Sequence, residues 1–148
     1  MIAPFASEPS KIYDKFGDVI ALLDEPKNEI FVCFNGEKEE KETLNLIQNS
    51  NAKTLNLSLK ELVSFISSCD LVIGNDSGVT HIAWAQNRPS ITLFGNRPAS
   101  RNAYATHVNL TLDAGKKIDA KKIDKSDFCV RDISPQAIAN AAKRLLDA

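Results

Sequence analysis

The most informative stretch of the sequence lies between positions 69 and 81, which read CDLVIGNDSGVTH. The short apolar run at 71–73 predicts a buried strand, and small and polar residues follow it directly. Helical spacing of apolar residues then predicts a helix over 78–86. A buried strand that leads into a helix through glycine, aspartate and serine is typical of an α/β domain that binds ligands at its strand ends.

Strand and helix signals alternate over the rest of the chain. Strands are predicted at 2–6, 30–34, 53–57, 71–73, 90–94 and 108–112. Helices are predicted at 12–23, after 35–36, from a capping box at 58–61, at 78–86 and after 134–135, with loops at 95–107 and 114–132. The predicted buried helix faces are Leu59, Leu62, Val63 and Ile66, and Ile138, Ala141, Ala142 and Leu145. The alternation predicts a mostly parallel sheet covered by helices on both faces.

Composition limits the class of protein. A length of 148 residues suits one domain, and a net charge of −1 argues against nucleic acid as a partner. Three scattered cysteines without metal spacing indicate a reducing compartment. We find neither a signal peptide nor an apolar run of the roughly 20 residues needed to span a bilayer, and therefore expect a cytoplasmic protein. Because the chain opens directly in a strand, we expect it to be a piece of a longer protein.

The strand-to-helix junction predicts an anion site. Ser77 is expected to cap the helix, Gly78 lets a ligand approach the backbone, and the amides of the first turn suit a diphosphate. His81 lies one turn into the helix. Lys11 follows the first strand, which neighbours the fourth strand in a doubly wound sheet, so Lys11 as a point charge and His81 as a donor are expected to meet the same phosphates. Asp76 is expected to accept hydrogen bonds from sugar hydroxyls.

Simpler interpretations exist for each of these residues. For an isolated Asp-Ser-Gly, helix capping by Asp76 and Ser77 would be the stronger interpretation, with His81 packing and Lys11 solvated. The position of the motif at a strand end of a doubly wound sheet shifts the balance toward ligand binding.

The run from Asn75 to His81, followed by Ala83, Arg88-Pro89 and Leu93-Phe94-Gly95, resembles the C-terminal domain of the lipopolysaccharide heptosyltransferases. These bacterial enzymes of glycosyltransferase family nine have the two-domain GT-B fold. The resemblance covers nearly all of the chain and implies a Rossmann-like three-layer domain over 1–148 that binds the donor. It also implies inverting transfer of heptose from ADP-heptose to the lipopolysaccharide inner core. The acceptor site and the catalytic aspartate would lie on an N-terminal domain outside this chain, so this chain alone is expected to be inactive.

By resemblance, Ser7, Lys11 and His81 match family residues whose side chains contact the phosphates. The backbone of Ser77, Gly78 and Val79 matches the segment that surrounds the phosphates. Lys11 and His81 would stabilise the departing ADP, and no metal or cofactor is needed if they neutralise its charge.

Two carboxylates complete the implied donor site. Asp76 matches the residue that contacts the heptose, and Glu39 matches a carboxylate that binds the nucleotide ribose. For Glu39 the alternative is a solvated acidic helix start, because Glu37, Glu40 and Glu42 lie nearby.

Two regions of the sequence bear on the donor-side loop and on membrane contact. After Gly95 the family usually continues Pro-[Ser/Thr]-Asp-Pro, whereas this chain has Asn96 to Ala99, which puts the loop on the donor side in doubt. The lysine-rich stretch at 116–125 is interpreted as a solvated loop, with contact to anionic lipid at the inner membrane as the alternative. Trp84 and Tyr104 are interpreted as packing residues rather than sugar platforms.

The sequence also bears on two other classes of protein. A non-catalytic Rossmann-like module for ligand binding or protein interaction remains an alternative. A dinucleotide-dependent oxidoreductase is disfavoured because 7–11, after the first strand, lack the glycine fingerprint.

Overall fold

The computed structural model describes residues 1–103 and 105–148, with the backbone alone at 101 and 102. In these ranges six strands and six α-helices alternate along the chain. They are β1 (Ile2–Ala3), α1 (Phe16–Leu23), β2 (Phe31–Cys33), α2 (Gly36–Ile47), β3 (Lys53–Leu55), α3 (Leu59–Ser68), β4 (Val72–Asn75), α4 (Gly78–Ala85), β5 (Ser90–Phe94), α5 (Ala99–Asn102), β6 (Asn109–Asp113) and α6 (Pro135–Leu146).

The strands form one parallel sheet in the order β3-β2-β1-β4-β5-β6. The first strand lies in the middle, with Ile2 opposite both Val32 of β2 and Ile73 of β4. The strand order therefore reverses between β1 and β4, the place at which open α/β sheets bind ligands. The predicted Rossmann-like parallel sheet is confirmed, and so is the predicted contact between the first and fourth strands.

Helices cover both faces of this sheet, as predicted. On one face α1 and α6 pack on the strands, and Val19, Ile20 and Ile138 are fully buried there. On the other face α3 and α4 pack together over Val72, with Ile66 fully buried. The two apolar clusters make the domain a three-layer structure.

Two helix starts are set by side-chain caps. Ser58 accepts from the amide of Glu61 at 3.3 Å, and the Glu61 carboxylate accepts from the amide of Ser58 at 3.1 Å, so the predicted capping box is confirmed. Ser134 accepts from the amide of Ala137 ahead of Pro135, and the predicted start of the last helix is confirmed as well.

The segment between β1 and α1 differs from the sequence prediction. The first strand ends at Ala3 rather than at residue 6, because Pro4 has no amide hydrogen to donate to the ladder. The helix predicted from Ile12 begins only at Phe16, because Ile12 is extended (φ −84°, ψ 116°) and the amide of Tyr13 is tied to Asn75 Oδ1 at 3.0 Å. A short 3-10 turn at Pro9–Lys11 occupies the loop.

The prediction of a fully buried apolar stripe on α3 was wrong. Ile66 is buried, but Leu59 is 70% exposed and Val63 is 39% exposed. The first turn of α3 lies at the carboxyl edge of the sheet, where no strand remains beneath it, so Leu59 faces a cleft instead of the core.

Both predicted loops contain local structure. The four-residue α5 interrupts the first loop, and a 3-10 turn at Cys129–Asp132 ends the second, with Val130 fully buried. Tyr104, interpreted as a packing residue, lies outside the described residues. Among the described helices, none combines the length and the apolar character that crossing a membrane requires.

Candidate functional site

The junction between β4 and α4 is held by the hydroxyl of Thr80. Thr80 is fully buried, and its hydroxyl lies 3.0 Å from the carbonyl of Asn75 and 2.9 Å from that of Ser77. The same oxygen accepts from the amide of Ser77 at 3.4 Å. Thr80 therefore fixes the turn that presents the helix start, a role that the sequence analysis did not assign.

Ser77 is the N-cap residue of α4, as predicted, but its side chain accepts no hydrogen bond from the described residues of the helix. It occupies the N-cap position in an extended conformation, but its Oγ is buried and has no partner within the described residues. The amides at the start of α4 also lack intrahelical partners. A buried hydroxyl without a partner, beside free amides, suits an anionic ligand.

Gly78 opens the approach to these amides. A Cβ atom built at this position meets nothing within 4 Å, so the space in front of the first turn is empty of protein. Gly74, in contrast, is packed, because its Cβ would lie 3.0 Å from the carbonyl oxygen of Ala3. A glycine is therefore required at the two positions for different reasons. At Gly74 a side chain would collide with the neighbouring strand, and at Gly78 its absence leaves the backbone open to a ligand.

Asn75 ties the neighbouring loop to this junction. Its side chain is fully buried, donates to the carbonyl of Pro4 at 2.8 Å and accepts from the amide of Tyr13 at 3.0 Å. These two bonds fix both ends of the loop after β1. As a result, Lys11 lies opposite the start of α4, as the predicted sheet order required.

Lys11, Asp76 and His81 form one ion cluster. The ammonium of Lys11 lies 3.1 Å from Asp76 Oδ2, and His81 Nε2 lies 3.0 Å from Asp76 Oδ1. Asp76 is 5% exposed, whereas the side chain of His81 is 50% exposed. Asp76 thus holds the ammonium and the imidazole in place, and each of its oxygens keeps a lone pair for a further donor.

A cleft of about 320 Å³ adjoins this cluster. Five of the eight predicted donor-site positions line it: Ser7, Glu39, Ser77, Gly78 and Val79. The remaining lining residues are mostly apolar: Phe5, Ala6, Leu59, Leu62 and Ile82. The structure therefore brings all eight predicted positions to one edge of the sheet, three in the ion cluster and five in the cleft.

Glu39 differs from the other acidic residues of α2. It is partly buried at the cleft, whereas Glu37, Glu40 and Glu42 are exposed. Its carboxylate accepts from the amide of Asn35 at 2.7 Å. The four carboxylates look alike in the sequence, and only the rotation of the helix distinguishes Glu39.

The loop after β5, where the sequence departs from the family pattern, supports the loop after β1. Asn96 is buried and donates to Ser10 Oγ at 3.0 Å, and Arg97 pairs with Glu8 at 2.8 Å. Gly95 permits this arrangement, because a Cβ there would lie 2.6 Å from that of Val130. The unusual residues at 96 and 97 thus hold the segment that carries Ser7 and Lys11.

Burial changes the acidity of two side chains near the sheet. Desolvation raises the pKa of Tyr13 to about 12, and its hydroxyl donates to the carbonyl of Ile133 at 2.7 Å. Desolvation also raises the pKa of the Cys33 thiol to about 11. Both groups stay neutral and serve packing rather than acid–base chemistry.

A larger cavity, of about 470 Å³, lies at the opposite end of the sheet. Its lining includes Met1, Phe31, Phe65 and Leu71, at or near the amino ends of the strands. Ligands of open α/β sheets bind at the carboxyl ends, so we assign the candidate site to the smaller cleft. In the two described ranges of the chain, no three histidine, cysteine or acidic side chains are grouped to hold a metal ion.

The site and the sheet together define a class of protein. It comprises α/β domains in which free helix amides and nearby cations, at a reversal of strand order, suit a phosphorylated ligand. Within that class, the model of glycosyltransferase family 9 (heptosyltransferase) matches residues 1–127. The chain belongs to this family, as the sequence resemblance predicted.

Individual relatives agree with this assignment. Lipopolysaccharide heptosyltransferase 1 of Campylobacter coli is 44% identical over 153 residues, which cover 95% of this chain and 44% of that protein. Lipooligosaccharide heptosyltransferase 2 of Haemophilus influenzae is 39% identical over 98 residues, covering 60% of this chain and 27% of that protein. The chain therefore spans less than half of the length of these relatives.

Solved structures share the fold. The structure of E. coli heptosyltransferase WaaC with ADP matches with a TM-score of 0.81 at 16% identity, covering 97% of this chain and 43% of that one. The glycosyl transferase family 9 structure from Veillonella parvula matches with a TM-score of 0.82 at 20% identity, covering 98% and 45%. At such identities the match concerns the fold.

Proposed function

We propose that residues 1–148 form the donor-binding domain of an inverting transferase that moves heptose from ADP-heptose to the lipopolysaccharide inner core. The acceptor site and the catalytic base would lie on another domain of a longer protein, because this chain spans about 44% of its Campylobacter coli relative. The observation that supports this most is the ion cluster beside the free amides of α4. Lys11 and His81 both bond to the carboxylate of Asp76.

In this proposal the diphosphate of the donor sits against the start of α4. The amides of Gly78 and Val79, the hydroxyls of Ser7 and Ser77, and the positive end of the helix dipole would bind its oxygens. The ammonium of Lys11 would add positive charge, and the imidazole of His81 would add a hydrogen-bond donor. Negative charge grows on the departing ADP as the glycosidic bond breaks, so fixed positive groups at this place lower the barrier.

The nucleoside would occupy the cleft next to this site. Apolar side chains there, including Phe5, Leu59 and Leu62, offer a surface for a base. The partly buried Glu39 would accept hydrogen bonds from the ribose hydroxyls. The exposure of Leu59, which the core does not explain, is accounted for if a base covers it.

Asp76 would have two roles. It already orients both cations, and its remaining lone pairs can accept from a hydroxyl of the heptose. No residue of this chain is assigned as the base that deprotonates the acceptor.

We further propose a cytoplasmic protein that touches the inner membrane at its periphery. Lys117, Lys121 and Lys122 are exposed on the loop after β6, and the exposed Phe128 ends the same loop. Exposed basic side chains on a loop that also carries an exposed aromatic ring favour contact with an anionic lipid surface. Replacing the three lysines by glutamine should reduce sedimentation with anionic vesicles, and an unchanged bound fraction would contradict this contact.

Calorimetry of the chain with ADP tests the donor assignment. We expect saturable binding of ADP, and weaker binding of AMP because it lacks the diphosphate. Adenosine in place of ADP serves as the control for the base alone. Failure of ADP to bind at millimolar concentration would contradict the proposal.

A further inference from the structure

Trp84, the single tryptophan of the chain, contacts the exposed histidine of the ion cluster. It follows His81 by three residues on α4, and the two rings stack with centroids 4.5 Å apart and planes inclined by 23°. Stacked rings at this separation attract each other. The imidazole is therefore held at two places, by Asp76 at Nε2 and by the indole on its face.

These two contacts determine how the imidazole can meet a ligand. Because an ionised carboxylate only accepts hydrogen bonds, the bond to Asp76 places a proton on Nε2. In the described part of the chain Nδ1 has no hydrogen-bond partner, so it is the nitrogen available to a ligand. It donates to a phosphate oxygen in the imidazolium form, because a phosphate oxygen only accepts hydrogen bonds. The side chain of His81 is 50% exposed, and without the indole its ring would be free to turn about the bond to Asp76.

Packing alone does not account for a tryptophan at this position. Its indole nitrogen is buried without a hydrogen-bond partner among the described residues, which costs free energy. Leucine or phenylalanine would fill apolar space without that cost. Stacking on the imidazole is the contact that a large aromatic ring supplies here.

We propose that Trp84 is a positioning residue that sets the plane of His81 and thereby the affinity of the site for a nucleoside diphosphate. This inference rests on the proposed function, because it needs a diphosphate at the start of α4. Trp84 acts only through His81, so its effect on binding disappears when the imidazole is removed.

A double-mutant cycle tests this dependence. The dissociation constant for ADP is measured for the wild-type chain, Trp84→Leu, His81→Ala and the double variant. We expect Trp84→Leu to weaken binding by about threefold to tenfold when His81 is present, the range typical of an aromatic pair. In the His81→Ala background the same substitution should change binding by less than about twofold.

Two further variants separate positioning from folding. Trp84→Phe keeps a ring against the imidazole and should recover most of the lost affinity. Phe128→Leu removes an aromatic ring from a different surface, where it contacts Arg131, and should leave binding unchanged. An equal effect of Trp84→Leu in both backgrounds would overturn the proposal, and so would a failure of Trp84→Phe to recover affinity.

The stack can also be observed without nucleotide. The chain has two histidines, and the ring current of the indole should shift the imidazole proton signals of His81 upfield from those of His107. Trp84→Leu should remove this shift, and an unshifted His81 in the wild type would refute the geometry.

If ADP does not bind to the wild type, the proposed function fails together with this inference. If ADP binds but the cycle shows no coupling, this inference alone fails.

Discussion

Replacing Lys11 by alanine removes the ammonium group from the ion cluster while leaving the helix amides and His81 in place. Its nitrogen lies 3.1 Å from Asp76 and its side chain is 19% exposed, so its charge is partly sheltered from water. At a contact distance of about 3 Å and an effective dielectric constant of about 20, the gross attraction between the ammonium and one phosphate charge would be about 5 kcal/mol. Desolvation and the existing bond to Asp76 offset much of it.

The net loss should therefore be about 1.5–3 kcal/mol, the value of a hydrogen bond to a charged group. This corresponds to ADP binding that is weaker by about 10-fold to 150-fold. Calorimetry of wild type and Lys11→Ala measures this ratio directly. Thermal unfolding of both proteins confirms that the variant remains folded.

Lys27→Ala is the matched control. Lys27 carries the same charge, but it lies at the amino end of the sheet, where it pairs with Glu25 and Asp147. Screening by salt makes its effect on the diphosphate negligible, so ADP binding should change by less than about twofold. If Lys11→Ala weakens binding no more than Lys27→Ala does, the diphosphate does not meet Lys11 and the reasoning is wrong.

Three further predictions follow from particular packing environments. Gly78→Ala should unfold at the same temperature as wild type or higher, because its Cβ meets no protein atom, yet it should weaken ADP binding by about tenfold; unchanged affinity would place the ligand elsewhere. Gly95→Ala should lower the free energy of unfolding in urea by about 1–3 kcal/mol, because the new Cβ would overlap Val130, and wild-type stability would contradict that contact. Iodoacetamide should alkylate Cys33 in the folded chain about 100-fold more slowly than in unfolded chain, because burial raises the thiol pKa from 9.0 to about 11 and depletes the thiolate; equal rates would show that the thiol is accessible.

The sequence predicted which residues lie close together better than it predicted the limits of the helices and strands. The motif at 74–81 follows a buried strand, and strands and helices alternate around it. This pattern predicted that Lys11 and His81 lie close together, and in the structure both contact the carboxylate of Asp76. The first strand ends before Pro4, which cannot donate to the ladder, and α1 starts late, after the amide of Tyr13 bonds to Asn75. Such a contact between distant parts of the chain leaves no periodic signal.

The wrong assignment on α3 has a similar physical origin. Helical periodicity indicates which residues share a face, but it does not show where the sheet beneath that face ends. Leu59 lies beyond that edge and lines the cleft, while Ile66 lies over the strands and is buried. Apolar residues at a ligand cleft and in a core have the same pattern in a sequence.

The residues that support the site were the hardest to predict. Asn96 and Arg97 look like departures from the family pattern, yet they bond to Ser10 and Glu8 in the loop that carries Lys11. Thr80 has no distinguishing signal in the sequence, although its hydroxyl bonds to the carbonyls of Asn75 and Ser77 and stabilises the turn between β4 and α4. Their importance arises from partners brought close by folding.

A crystal structure of the chain with ADP tests the central claim most directly. We predict the diphosphate within hydrogen-bonding distance of the amides of Gly78 and Val79, with Lys11 and His81 directed at its oxygens. Density for ADP in the cavity at the amino end of the sheet, or a diphosphate beyond the reach of both cations, would contradict the account.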